Sequence, residues 1–255
     1  MTQGRWRTVA LALLLVCIAA LERGSAQRRF AQFGSLMDDF DAKRNLDETE
    51  LIFARVQYNA YGSGWAHDYP AAEEHILDLA NEATRINTHE QAYVIVQLDS
   101  EEIFLYPMLY FSEVGEMELT EREVVNLREY FNRGGFAIVD DFDNQELLDW
   151  FQEQMRLVFP QRSFEKLTID NPIFHTFYEI PTLDVEPPAK GRRRRGEKPT
   201  FYGYFDESGR LCMIINHNND IGDFWEWIGQ PRYPLGPSTE ALRFGINYLI
   251  YSMSH

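Results

Sequence analysis

The chain has 255 residues, 24 Lys and Arg against 40 Asp and Glu, and a formal net charge of −16 at pH 7. Such a surface repels phosphate backbones and anionic lipid, which excludes nucleic acid as the expected partner. Cys17 and Cys212 are the two cysteines, too few for a cysteine-based metal site.

The N-terminus carries an address. Arg5 and Arg7 precede an apolar run from Val9 to Leu21, and Gly24-Ser25-Ala26 supplies the small residues that signal peptidase needs. Residues 1–26 therefore read as a cleavable signal peptide, with cleavage before Gln27 and an exported product, periplasmic or secreted. The alternative is an uncleaved anchor, but about a dozen apolar residues fall short of the ~20 that span a bilayer. No later segment is apolar for long enough to span one, and removal of Cys17 leaves no intramolecular disulfide.

Residues 27–48 form a polar, partly ordered lead-in, and 49–255 read as one α/β domain. The apolar run Leu51–Tyr58 predicts a strand. Asp68 is placed to cap a helix with Pro70 in its first turn, continuing with helical spacing to about Ile86. Tyr93–Leu98 is a second strand, and Glu101–Phe111 a short helix leading into the strand Met108–Phe111. Thr120 and Glu123 form a capping box, opening a helix that stops at Gly134-Gly135. The strand Phe136–Val139 runs into Asp140-Asp141, and a helix follows from Asn144 to Val158. Alternating strands and helices imply a mostly parallel sheet covered on both faces. The last third adds a hairpin, Phe201–Phe205 and Leu211–Ile215 joined through Asp206–Gly209, and a closing helix from Thr239 to Met253. Between Pro187 and Pro199 the basic run Arg192–Arg195 reads as a mobile loop spanning 186–199, with an anionic partner site as the alternative.

Several short motifs occur in a specific order: Trp65-x-x-Asp68-Tyr69-Pro70, Tyr106-Pro107-x-Leu109-Tyr110, Leu127-Arg-x-Tyr-x-x-x-Gly134-Gly135-Phe136, Asp140-Asp141, Asn171-Pro-Ile-Phe174, Asp220-Ile-Gly-Asp223 and Gly245-Ile-Asn247-Tyr-x-x-Tyr251. Together, over roughly residues 50–254, they resemble the bacterial domain-of-unknown-function 4159 family. The resemblance implies a flavodoxin-like three-layer fold of the class I glutamine amidotransferase-like group, and a link to cell-envelope assembly. It implies no reaction.

A glutamine amidotransferase needs a nucleophilic Cys on a tight strand-to-helix turn with a His nearby. Cys212 sits inside a predicted hairpin strand, the place of a core thiol. Ser112 follows the strand Met108–Phe111, but its large neighbours Phe111 and Glu113 disfavour a strained elbow there. The usual enzyme of the fold is therefore not expected. Polar residues gather instead after three predicted strands: Trp65, Asp68 and Tyr69; Asp140 and Asp141; and Asn216, His217, Asp220 and Asp223. Ligands of open parallel sheets bind beyond the carboxyl ends of strands. For Asp140-Asp141 the alternative is capping of the next helix, for the Asn216–Asp223 loop self-satisfied turn residues, and for Trp65 and Tyr69 a place in the core. His67 and His75 read as surface histidines, with a catalytic role as the alternative for His67.

These readings favour a non-catalytic exported domain that holds a polar ligand or an envelope protein partner. The rival is a hydrolase using Asp141 or His217 as general base, with or without a divalent cation. No cofactor is expected, and the metal, ligand and oligomeric state are left open.

Overall fold

The computed structural model describes residues 50–59, 64–67, 69–88, 90–186 and 198–255. The predicted signal peptide, the lead-in up to residue 49, Asp68 and the Arg192–Arg195 run lie outside the described residues.

Seven strands form one sheet: β1 (Phe53–Gln57), β2 (Tyr93–Gln97), β3 (Met108–Ser112), β4 (Phe136–Phe142), β5 (Glu165–Lys166), β6 (Thr200–Phe205) and β7 (Leu211–His217). Their order is β2-β1-β3-β4-β7-β6-β5. The first five in that order are parallel, and β6 and β5 close one side antiparallel. A 2-1-3-4-5 parallel order is the flavodoxin-like winding. The helices are α1 (Ala71–Ala83), α2 (Glu121–Asn132), α3 (Gln145–Val158), α4 (Ile221–Glu226) and α5 (Leu235–Ser254). α1 packs with α4 and α5, and α2 with α3, which makes the two helical layers. The parallel strands are apolar on both sides because both faces are covered: every residue of β3 and β7 is buried.

The helix ends follow local chemistry. Thr120 and Glu123 make the expected capping box at the start of α2. At its other end Gly134 takes φ +95°, a conformation that costs a side-chain-bearing residue strain. α1 differs from expectation. Pro70 occupies its N-cap position, no side chain caps it, and it ends at Ala83 rather than Ile86. Thr84 turns its hydroxyl back onto the Ala80 carbonyl at 2.6 Å there. α5 begins at Leu235, before the expected Thr239, because Pro237 is tolerated in a first turn whose N–H groups have no intrahelical partner.

The expected hairpin is present, but it is not an appendage. β7 is its second strand and also the fifth strand of the parallel sheet, paired with β4 through Ala137–Met213, Ile138–Ile214 and Val139–Ile215. The carboxyl end of β7 therefore joins the carboxyl ends of β1, β3 and β4 on one edge. Among the described residues no helix is long and apolar enough to cross a membrane.

Candidate functional site

That edge collects most of the polar residues singled out in the sequence. β4 does not stop before Asp140-Asp141 but runs through both to Phe142, with a register shift between Val139 and Phe142. The shift turns the two carboxylates to different tasks.

Asp140 is fully buried. Its Oδ2 accepts from the Gly222 N–H at 2.7 Å and the Tyr110 hydroxyl at 3.2 Å. It thereby ties the start of α4 to the middle of the sheet. Burial raises its pKa, against the Gly222 and Ile221 N–H groups, Asn216 and Tyr110, which favour the charged form.

Asp141 adopts φ 58° and faces the other way. Its Oδ2 accepts from the Ser112 hydroxyl at 3.5 Å, and it shares a hydrogen bond with Asp220. Burial, then Glu113 and Asp140, push its pKa well above the ordinary carboxylate value. Asp220 is pushed up likewise by burial, then Asp141, Asp140 and Asp223. Crowding of these buried carboxyls favours their neutral forms. Among the described residues no group of three or more His, Cys, Asp or Glu is arranged to hold a metal ion.

The helix-capping alternative for Asp140 and Asp141 fails at α3, which is capped by Asn144 through the Leu147 N–H at 3.0 Å. Asp220 does cap: its Oδ1 accepts from the Asp223 N–H at 2.8 Å at the start of α4. Asp223 accepts from the Tyr233 hydroxyl at 2.9 Å. Asn216 is buried on the Asp140 side and accepts from Tyr248 at 3.0 Å. His217 is also buried. Its Nε2 meets the Asn144 carbonyl at 2.9 Å and its ring lies against Phe142, a task between β4 and β7 rather than one in open solvent. Trp65 is buried, as is most of the core around it, and Tyr69 stands edge-on to Tyr93. Asp68 lies outside the described residues.

Two residues at this edge escaped the sequence reading. Glu113 follows β3 and takes φ 55° and ψ 37° before a short 3-10 turn, Val114–Glu116. A tight turn therefore follows β3, one residue beyond Ser112, and it carries Glu113. The Glu113 carboxylate meets His67 Nδ1 at 2.6 Å and lies against Gly64, where any side chain would collide with it. The second is Arg55, in the middle of β1. It is buried, ion-paired with the equally buried Glu73, and donates to the carbonyls of Trp65 at 2.9 Å and His67 at 3.4 Å. A charged residue inside the apolar run Leu51–Tyr58 was the available signal. For Glu113 the signal was a polar residue directly after an apolar strand.

All four non-glycine residues with positive φ among the described residues, Glu113, Asp141, Asn144 and Asn218, sit on this edge. Beside it, a cavity of about 470 Å³ opens among Val185, Asn219, Ile221, Phe224, Ala241 and Phe244. Cys212 is far from such a role: it is buried in β7, donates to the Tyr204 carbonyl at 3.3 Å, and burial pushes its thiol up to about 12.

A family model described as domain of unknown function (DUF4159) matches residues 52–253. The chain belongs to this family. The match spans β1 to α5, so the strained carboxyl edge is part of the DUF4159 domain itself. No curated protein is significantly similar to the chain.

Proposed function

We propose that this DUF4159 protein is exported and that its domain binds a polar ligand or an envelope protein at the carboxyl edge of the sheet, through Asp141, Asp220 and Glu113. One observation carries the reading: among the described residues, every non-glycine residue with positive φ is a polar residue at that edge. Each such residue costs about 1–3 kcal/mol, and strain of this kind is retained where side chains must be presented in fixed directions. A covalent mechanism has no support, since Ser112 is engaged with Asp141 and Cys212 is buried. The strand-to-helix turn at Glu113 supports a glutamine amidotransferase-like ancestry with the nucleophile replaced. The N-terminal charge and small-residue pattern supports export, and the family resemblance supports work in the envelope.

The test uses protein recovered from the envelope fraction of its native host. Its mass should place the N-terminus at or near Gln27. A thermal-shift screen against sugars, nucleotides, peptidoglycan fragments and amines should then find a binder, worth about 2.7 kcal/mol at a hundred times its dissociation constant. Asp141→Asn should lose that shift. An intact Met1, or a binder whose shift survives Asp141→Asn, overturns the corresponding half.

A further inference from the structure

The contact between His67 and Glu113 has a chemical polarity. A carboxylate accepts hydrogen bonds, so at 2.6 Å the His67 Nδ1–H donates to Glu113 Oε1. The neutral imidazole then carries its lone pair on Nε2. The ring is exposed, with two thirds of the side chain accessible. This is the arrangement by which a carboxylate fixes the tautomer of a catalytic base. Both partners are positioned from below. Buried Arg55 holds the carbonyls of Trp65 and His67, which sets the loop, while Glu73 neutralises Arg55. The Tyr58 hydroxyl donates to the Ser112 carbonyl at 2.6 Å, which sets the turn bearing Glu113. Gly64 leaves the space that the carboxylate fills.

We propose that His67, held by Glu113, is a general base that activates water for hydrolysis of an acyl bond at this edge. This goes beyond the binding reading and does not rest on it. It also differs from a hydrolase built on Asp141 or His217, since His217 is occupied with the Asn144 carbonyl. In the proposed step, water oxygen bonds to the acyl carbon while Nε2 takes one water proton. The acyl carbonyl oxygen takes the negative charge as an oxyanion. The intermediate collapses, the bond to the alcohol oxygen breaks, and the leaving alkoxide takes the proton from imidazolium. Acid and alcohol are released and the base is restored. Glu113 is a positioning residue in this scheme, as is Arg55.

The experiment uses the full chain with p-nitrophenyl acetate as the probe. The native protein should hydrolyse it faster than buffer, and faster than free imidazole at the same concentration. His67→Gln should fall to the buffer rate, a loss of about 10²-fold if general-base assistance has its usual size. Added imidazole should give His67→Ala a rate above that of imidazole alone and give His67→Gln no such excess, a rescue that a structural histidine would not give. Glu113→Ala should keep the fold, read by circular dichroism, and lose most of the rate. A native rate no greater than free imidazole, an unaffected His67→Gln, an absent rescue or a fully active Glu113→Ala each overturns the proposal. Because no polar ligand enters this assay, its failure leaves the binding test standing, and the reverse holds.

Discussion

At the scale of single residues, Asn144 shows how the edge carries strain. Its φ of 63° and ψ of 159° belong to a region that glycine alone occupies at ease. Two interactions hold it there. Its N–H donates to Asn218 Oδ1 at 2.9 Å, and its own Oδ1 caps α3 through Leu147. The cap and the strain can be separated. Asn144→Ala keeps the strain and removes the cap, so it should destabilise the domain by about 0.5–2 kcal/mol. Asn144→Gly also removes the cap, which costs only a few tenths relative to Asn, but it relieves about 1–3 kcal/mol of strain. The glycine variant should therefore melt no lower than the native protein, and the alanine variant below it. Thermal melts that rank glycine under alanine would show that the backbone there is unstrained.

At the scale of elements, the polar thread across the sheet explains how α1, α4 and α5 are registered on their face. Glu73 of α1 pairs with Arg55 of β1. The Arg55 guanidinium stands 5.1 Å from the ring of Tyr110, its partner on β3. Tyr110 donates to Asp140 of β4, and Asp140 accepts from the Gly222 N–H at the start of α4. Tyr248 of α5 reaches Asn216 of β7. An apolar face would let helices slide, whereas these directional contacts fix one register. Buried ion pairs contribute little net stability but are costly to halve. Arg55→Leu alone should cost about 3–5 kcal/mol, while Arg55→Leu with Glu73→Leu should recover much of it. Denaturant unfolding of the two single variants and the double gives the coupling directly. An additive double variant would mean that the pair is not coupled. Recovery of stability without the hydrolysis proposed above would separate the pair's support of the loop from its part in folding.

At the scale of the whole molecule, a formal charge of −16 and a set of crowded carboxyls act in the same direction. Asp140, Asp141 and Asp220 all have folded pKa values above the ordinary 3.8, chiefly through burial. A native state with the higher pKa binds its proton more tightly than the unfolded chain. That stabilisation is complete below about pH 4 and is lost as pH rises toward the folded values. Asp206 works in the opposite sense. Burial raises it, but hydrogen bonds from Ser208 and Arg210 lower it on balance, so its contribution is present above 3.8 and lost in acid. The three raised groups outnumber it, and the melting temperature should be higher at pH 5 than at pH 8. Each unit of raised pKa is worth about 1.4 kcal/mol, or about 3–6 °C for a domain of this size. Asp141→Asn with Asp220→Asn should shrink the difference between the two pH values. An unchanged difference would assign the effect to net charge and not to these two carboxyls.

What the sequence by itself determined was whatever depends on local periodicity and on the ends of elements. Alternating apolar strands and amphipathic helices established the mostly parallel α/β sheet, the capping box at Thr120 marked α2, and the ordered motifs identified the family. Placing Asp140, Asp141 and Asp220 near a strand end was legible too, because polar residues after apolar runs mark where strands leave the core. Only the tertiary structure decided how these residues divide the work. One register shift in β4 sends Asp140 under α4 and Asp141 to the open edge, and no local pattern encodes that. The same holds for His67 and Glu113, 46 positions apart and brought to 2.6 Å by the adjacency of β1 and β3, and for Arg55 meeting Glu73 across a helix and a strand. The physical reason is common to all three. Side-chain direction at a strand end depends on the pairing of neighbouring strands, and pairing is a long-range choice made by burial of the whole sheet.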